Sequence, residues 1–284
     1  MATYPDNLRP IGVFDSGLGG LSVVRWLREL LPGEEIVYFG DTARVPYGTK
    51  SRPTVTNFAL QDARFLLSFD PKLIVVACHT ASALALDTLV AALPVPVIGV
   101  VAPGAQAAVK LAQRGPVAVL GTHATVGSQA YPNAIHALAP SLEVLSKACP
   151  LFVPLAEEGH TSDDPLVRLA VERYLTPIRA RDPSAVVLGC THYPLLRGAI
   201  EAFLGPRTQV VDCGHEAALA VRAALAGEGG LSARAGLASM RCYVSDNPER
   251  FRRLGSHFLQ QDIENVERVD PERDLGAIPG EPVC

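Results

Sequence analysis

Short apolar runs alternate with longer segments of helical spacing along most of the chain. A short apolar run bounded by Gly or polar residues predicts a buried strand, and apolar positions three and four apart predict an amphipathic helix. The predicted strands are 10–14, 35–40, 73–77, 95–100, 116–120, 186–188, 209–212 and 240–244. The predicted helices are 21–31, 54–69, 81–93, 163–180 with an interruption at Pro177, 216–226 and 248–258. Because the two kinds of element alternate, we predict the α/β class, with right-handed βαβ units and parallel strands.

The two halves of the chain share a pattern at the ends of their strands. Asp15 follows the first strand and Thr122 follows the strand at 116–120, and one Cys comes at a similar distance after each. This predicts two similar α/β lobes related by a pseudo-twofold axis. Each would have a mostly parallel central sheet flanked by helices, with the active site in the cleft between the lobes. The predicted boundaries are 1–100 plus 211–269 for the first lobe, 101–210 for the second, and 270–284 for a loose C-terminal tail.

Two of the six cysteines lie in matching local sequences. Cys78 follows a buried strand and precedes a helical pattern, and Cys190 does the same after 186–188. The carboxyl ends of parallel strands are where open α/β sheets build their sites, so we expect the two thiols to face each other across one substrate. A thiolate can act as a base. Two equivalent thiols on opposite walls of a cleft could therefore invert a stereocentre, one removing a proton and the other returning one.

Plainer interpretations apply to each residue taken alone. A single Cys at the end of a buried strand is usually an inert core residue, and His79 or His192 alone would more often be a hydrogen-bonded loop residue. A redox disulfide between Cys78 and Cys190 is also open, although neither lies in a C-x-x-C turn. The duplicated context favours the catalytic interpretation for these two thiols. The structural interpretation is kept for Cys149, Cys213 and Cys242.

Polar residues near the strand ends supply the other candidates. The glycine-rich turn after Asp15 could bind an anion at a helix N-terminus, or Asp15 could simply cap that helix. Its G-L-G-G spacing is not the dinucleotide fingerprint. In the Pro46-Tyr47-Gly48 turn, the Tyr47 hydroxyl either points into the cleft or belongs to a half-buried loop aromatic. Asp15 and His192 could relay protons. Four hydroxyl residues could hold an anionic substrate: Ser16, Thr80, Thr122 and Thr191.

Composition excludes several classes of partner. The net charge of −4 and the pI near 6.0 argue against nucleic acid, which usually needs a basic face. No apolar run approaches the roughly 20 residues of a membrane helix, and the first residues lack the pattern of a signal peptide. The dispersed cysteines predict reduced thiols in the cytoplasm. Their spacing predicts no metal site, and the sequence calls for no cofactor.

Five motifs in order carry a resemblance that extends from about residue 11 to about residue 269. They are I-G-V-F-D-S-G-L-G-G at 11–20, G-D-T-A-R-V-P-Y-G at 40–48, A-C-H-T-A-S at 77–82, C-P-L-F-V-P-L-A-E-E-G at 149–159 and G-C-T-H-Y-P at 189–194. On these motifs the chain resembles the glutamate racemases of the aspartate/glutamate racemase superfamily. The resemblance implies cofactor-independent interconversion of L- and D-glutamate, which supplies D-glutamate for peptidoglycan, and a homodimer.

The resemblance also implies roles for individual residues. Cys78 would act on the D-isomer and Cys190 on the L-isomer, with Asp15, Glu157 and His192 as supporting acid/base groups. The positions implied to bind substrate are Asp15, Ser16, Pro46, Tyr47, Gly48, Cys78, His79, Thr80, Thr122, Cys190, Thr191 and His192.

Two positions depart from the family pattern, which has Asn where this chain has His79 and often Ser where it has Cys213. The imidazole is bulkier than the amide and can charge near neutral pH, so we expect altered substrate affinity with activity retained. Two alternatives stay open: a racemase of another acidic amino acid, aspartate in particular, and a non-catalytic ligand-binding relative in which His79 marks a decayed site.

Overall fold

The computed structural model describes residues 6–112 and 115–274, which form two parallel sheets with helices packed on their faces. The strands of the first sheet are β1 Ile11–Asp15, β2 Ile36–Gly40, β3 Leu73–Val76, β4 Val97–Gly99, β9 Met240–Val244 and β10 Val266–Arg268. Those of the second are β5 Val117–Gly121, β6 Val144–Ala148, β7 Ala185–Gly189 and β8 Gln209–Val211. The first sheet has the strand order β10-β9-β2-β1-β3-β4 and the second has β6-β5-β7-β8. The predicted α/β class is confirmed.

The order of four strands repeats between the sheets. In each, the first strand of the set lies in the middle, the second on one side, and the third and fourth on the other: β2-β1-β3-β4 and β6-β5-β7-β8. All the pairs within these sets are parallel. The two candidate cysteines therefore follow equivalent strands, β3 and β7, as the duplicated sequence pattern predicts.

Thirteen helices accompany the strands in the described residues. They are α1 Leu21–Leu30, α2 Arg52–Leu67, α3 His79–Leu84, α4 Leu86–Ala92, α5 Val101–Leu111, α6 His123–Gly127, α7 Ala130–Leu138, α8 Phe152–Glu157, α9 Pro165–Arg179, α10 Arg197–Leu204, α11 Cys213–Gly227, α12 Pro248–Leu259 and α13 Pro271–Asp274. Helices α5 and α11 begin where the chain passes from one sheet to the other, directly after β4 and β8.

One buried core joins the two sheets. Apolar side chains of β1 and β3 in the first sheet belong to the same cluster as Val119 and Val187 of the second. Helix α11 connects them, since it packs against α1 on one side and α5 on the other. Separate clusters lie on the outer faces, under α2 in the first sheet and under α9 in the second. The lobes are thus held by apolar packing on the side of α11, and their polar strand ends meet elsewhere.

Several local predictions need correction. The helix expected over 81–93 is two helices that meet at Ala85, whose backbone (φ −120°, ψ −10°) leaves the helical region. Pro177 lies inside an unbroken α9, and the backbone N–H of Ala180 still donates to Thr176 one turn earlier. Strands β6 and β10 had no predicted counterpart, because their residues are mostly half-buried or exposed and lack an apolar run.

Two further expectations concern the C-terminal end and membranes. Residues 271–274 of the expected loose tail form α13, and the rest of it, with Cys284, lies outside the described residues. Among helices in the described ranges 6–112 and 115–274, none has the length and apolar character needed to cross a membrane.

Candidate active site

The two cysteines follow the ends of β3 and β7, and local backbone contacts fix each of them there. Cys78 caps α3, and its Sγ lies 3.5 Å from the backbone N–H of Ala81. Before Cys190, a Cβ on Gly189 would lie 2.4 Å from the Leu120 carbonyl oxygen, so only glycine fits there. Both thiols are nearly enclosed, at 5% exposure for Cys78 and 6% for Cys190. Proton transfer at these sulfurs would therefore take place away from bulk water.

Cys78 has neutral and acidic neighbours. Its Sγ lies 3.7 Å from the Ser16 hydroxyl. Burial raises the pKa of the Cys78 thiol to about 12, and the negative charge of Asp15 adds to the rise, while the Ala81 and Ser16 hydrogen bonds oppose it. Cys78 is accordingly a thiol at neutral pH, which suits a group that donates a proton.

Cys190 has a basic neighbour. Nδ1 of His192 lies 3.8 Å from its Sγ, and Nε2 lies 3.1 Å from a carboxylate oxygen of Glu157. Burial acts to lower the pKa of His192, but the hydrogen bonds and charges of Cys190 and Glu157 outweigh it and raise this pKa to about 10. The hydrogen bond to His192 lowers the pKa of Glu157. The His192 imidazolium, hydrogen-bonded to Glu157, therefore lies beside the Cys190 sulfur, where it could exchange a proton with it.

Asp15 lies between these two environments. One carboxylate oxygen accepts a hydrogen bond from the backbone N–H of Gly17 at 3.1 Å. The other is buried and has no hydrogen bond of good geometry within the described part of the chain. Burial raises the pKa of Asp15, and the His192 charge and the amides of the turn oppose the rise. The side chain is fully buried and does not cap α1, whose N-cap is Gly20, so the helix-cap alternative is wrong. Asp15 instead interacts electrostatically with Cys78 and with His192.

Threonine hydroxyls join the two halves of the site. Thr80 at the start of α3 lies 3.1 Å from Thr122 and 3.2 Å from Thr125, and Thr122 and Thr125 are 3.0 Å apart. Thr125 was missed by the sequence analysis. Its signal is the T-x-x-T spacing, in which the Thr122 side chain accepts the Thr125 backbone N–H and caps α6.

Two glycines let the halves approach closely. A Cβ on Gly48 would lie 2.7 Å from Cβ of Thr122, and a Cβ on Gly19 would lie 2.3 Å from Oγ1 of Thr191 and 2.6 Å from His192. The Pro46-Tyr47-Gly48 turn and the glycine-rich turn after β1 are thus backbone surfaces that contact the second half of the site. Of the residues predicted to bind substrate, Gly48, Thr122, Thr191 and His192 lie at these close approaches.

The Tyr47 side chain does not point toward the thiols. Its ring is 1% exposed, and its hydroxyl donates within a buried group formed by Asp41 and Asp62, with the Asp62 oxygen at 2.9 Å. Arg44 binds both carboxylates. The tyrosine is neither half-buried nor open to the cleft: it anchors the turn that carries Gly48, so substrate contact from this residue would have to come from its backbone.

The His79 side chain is buried, and its imidazole is neutral near pH 7. Its ring stacks on Tyr131 with centroids 6.3 Å apart, and neither ring nitrogen makes a hydrogen bond of good geometry within the described residues. Burial lowers the pKa of His79 to about 3, and the Leu188 carbonyl opposes this only in part. The expectation that this residue charges near neutral pH therefore fails, because its environment cannot solvate the imidazolium.

The other cysteines are core residues in the described chain. The Cys213 thiol lies 3.2 Å from the Tyr131 hydroxyl and packs against Gly104, and Cys149 and Cys242 are buried. All five described cysteines are free thiols. Within residues 6–112 and 115–274, no three His, Cys, Asp or Glu side chains are grouped so that they could hold a metal ion.

The sequence and the fold both match known racemases. The model of the family described as Asp/Glu/Hydantoin racemase matches residues 20–221. A glutamate racemase of Chlorobaculum tepidum is 48% identical over 261 residues, covering 92% of this chain and 96% of that protein. The crystal structure of glutamate racemase from Francisella tularensis in complex with D-glutamate has a TM-score of 0.87 at 40% identity, covering 94% of this chain and 99% of that one. Glutamate racemase from Thermus thermophilus in complex with beta-chloro-D-alanine has a TM-score of 0.84 at 47% identity, covering 94% and 98%. The resemblance predicted from the motifs and the two-lobed fold are confirmed.

Proposed function

The chain belongs to the Asp/Glu/hydantoin racemase family, and we propose that it interconverts L- and D-glutamate by exchanging the proton on Cα, without a cofactor. The observation that carries this proposal is the pair of enclosed thiols on equivalent strands, each with its own proton-handling neighbours. Glutamate is the proposed substrate because the similar proteins are named glutamate racemases and one of their structures holds D-glutamate.

Each direction uses one thiol as base and the other as acid. From L-glutamate, the Cys190 thiolate takes the Cα proton while His192 stays protonated beside it, and the C–H bonding pair becomes a carbanion delocalised into the carboxylate. The Cys78 thiol then gives its proton to the opposite face, which forms the new C–H bond and leaves a Cys78 thiolate. From D-glutamate the roles are exchanged. One C–H and one S–H bond break and one of each forms, so no redox partner is needed.

The residues around the two thiols are consistent with these acid and base roles. His192, hydrogen-bonded to Glu157, places its imidazolium beside the Cys190 sulfur. Asp15, fully buried and with a raised pKa, can hold a proton on the Cys78 side. Hydroxyls and backbone amides would bind the anionic substrate without adding charge that titrates near neutral pH. The hydroxyls are those of Ser16, Thr80, Thr122 and Thr191, and the amides are the backbone N–H groups of Tyr47 and Gly48. Pro46 has no N–H, so its backbone could only accept a hydrogen bond, from the substrate ammonium group.

Substrate entry requires movement, because both thiols are nearly enclosed. We propose that 1–100 with 211–269 and 101–210 move as two lobes about the side where α11 joins them. The product would supply D-glutamate for peptidoglycan, and the free thiols support a cytoplasmic location.

A homodimer is supported by three exposed leucines: Leu166 and Leu169 on α9, and Leu151 directly before α8. Sedimentation analysis with Leu169→Glu as the comparison would test it, and a monomer without the substitution would remove this part of the proposal.

The first experiment is Cα hydrogen exchange in deuterium oxide with L- and D-glutamate. The unmodified protein should incorporate deuterium and invert both enantiomers, and Cys78→Ser and Cys190→Ser should each lose inversion. Exchange of aspartate in preference to glutamate would instead establish the aspartate alternative. Glutamate binding by calorimetry without any exchange would establish the ligand-binding alternative, and His79→Asn would then be the first variant to examine for recovered activity.

A further inference from the structure

Helix α12 contacts both residues that support Cys190. Its Arg250 Nη2 lies 3.4 Å from one carboxylate oxygen of Glu157, whose other oxygen binds His192. Its Phe258 ring lies edge-on to the His192 imidazole, with centroids 5.2 Å apart and an interplanar angle of 79°. The two residues are eight positions apart, about two helical turns. One helix thus holds both ends of the Glu157–His192 pair.

This contact crosses from one half of the molecule to the other. Helix α12 follows β9 of the first sheet and packs on α1, whereas Glu157 ends α8 and His192 follows β7 of the second sheet. A cavity of about 90 Å³ adjoins Glu157 and Arg250 and is lined also by Gly17, Val45 and Asn247. Without Arg250, the Glu157 side chain would have room to turn toward this space and away from His192.

Resting on the function proposed above, we propose that Arg250 and Phe258 are positioning residues for the Cys190 proton transfer. Arg250 holds the Glu157 carboxylate so that it orients Nε2 of His192, and Phe258 restricts rotation of the imidazole. Together they keep Nδ1 directed at the Cys190 sulfur. Because they lie on the opposite half from Cys190, this alignment is complete only when α12 is packed against the second half.

Loss of either residue should slow the proton transfer at Cys190 and not the one at Cys78. Both residues act through His192, Arg250 by its ion pair with Glu157 and Phe258 by its ring contact. The equilibrium constant between enantiomers is one, so any variant must lower kcat/KM equally in both directions. Primary isotope effects measured with each deuterated enantiomer would instead show which of the two proton transfers is slowed.

The test uses Arg250→Ala and Arg250→Lys, with Arg253→Ala as the matched control because Arg253 is an exposed arginine of the same helix. Arg250 is 46% exposed, so its loss should leave folding nearly unchanged. We expect Arg250→Ala to lower kcat about tenfold with little change in KM, and Arg250→Lys to recover part of the loss. The isotope effect on kcat/KM should rise for L-[2-²H]glutamate, and it should fall for D-[2-²H]glutamate. Arg253→Ala should match the unmodified protein.

Phe258→Leu gives an independent check. The ring is buried at 2% exposure, and leucine keeps most of its volume. Phe251→Leu is the matched control, because that ring lies on the same helix but packs on Tyr38 at 5.7 Å. Phe258→Leu should change the two isotope effects in opposite directions as Arg250→Ala does, and Phe251→Leu should not.

The outcomes separate the two proposals. An active unmodified protein whose isotope effects are unchanged, or change alike for both enantiomers, in Arg250→Ala and Phe258→Leu would overturn the positioning role alone. An effect of Arg253→Ala equal to that of Arg250→Ala would do the same. No Cα exchange by the unmodified protein would remove the proposed function and this inference with it.

Discussion

Gly19→Ala should reduce activity far more than it reduces stability. The added Cβ would lie 2.3 Å from Oγ1 of Thr191, and an ordinary contact begins at 3.4 Å, so the neighbour must move by about 1 Å. The same Cβ would lie 2.6 Å from Nδ1 of His192, which faces Cys190. Thr191 and His192 are buried, so neither side chain can swing into solvent. The substitution therefore displaces the His192 imidazole or separates the two halves of the site.

The magnitude follows from that displacement. A misplacement of about 1 Å in a catalytic group can cost roughly 10²-fold in rate. Overpacking costs about 1–3 kcal/mol of folding free energy, but Gly19 has no positive φ, and alanine there regains about 0.4–1 kcal/mol by restricting the unfolded chain. The net loss of about 1 kcal/mol is smaller than the roughly 5–15 kcal/mol stability typical of a folded domain. The variant should stay folded, with a Tm about 2–4 °C lower.

The assay pairs steady-state racemisation of both enantiomers with a thermal melt. Gly127→Ala is the matched control, since it makes the same substitution in a helix where an added Cβ meets nothing within 4 Å. We expect kcat/KM to fall about 100-fold for Gly19→Ala and to be unchanged for Gly127→Ala. If Gly19→Ala keeps kcat/KM within threefold of the unmodified protein, the close contact is not what aligns His192 and the reasoning is refuted.

Three other predictions follow from the buried groups. Because the pKa of His192 is raised to about 10, its contribution to the free energy of unfolding is complete below about pH 6.5 and is lost as the pH rises through about 10. Glu157→Gln should flatten this dependence and move the alkaline limb of kcat/KM to lower pH, and an unmoved limb in the pH–rate profile would contradict it. Tyr47→Phe leaves Asp41 and Asp62 short of a donor and should lower the free energy of unfolding by about 1–3 kcal/mol in urea titrations. A large rise in KM at unchanged stability would instead mean that its hydroxyl binds substrate. His79→Asn should change KM but not the pH profile over roughly pH 6 to 9, because the imidazole is already neutral; a profile that shifts with the substitution would show that His79 titrates.

Much of the fold was predictable because its signals are local. The central strands β1, β3, β5 and β7 are short apolar runs buried on both faces, and β1, β5 and β7 end at Asp15, Gly121 and Gly189. The edge strands β6 and β10 escaped prediction because their residues are half-buried or exposed and do not form an apolar run. The break at Ala85 and the continuity of α9 through Pro177 depend on the packing of neighbouring elements.

The same difference between local signals and long-range packing applies to the candidate site. The sequence alone determined that two thiols follow equivalent buried strands, since burial of a strand and the turn after it depend on adjacent residues. Only the tertiary structure decided what surrounds each thiol. It directed the Tyr47 hydroxyl to Asp41 and Asp62, enclosed His79 where it cannot charge, and brought Arg250 and Phe258 from about 60 residues beyond Cys190 onto the residues that support it. Contacts between distant segments depend on how the two halves pack together, and the spacing of residues along the chain does not predict that packing.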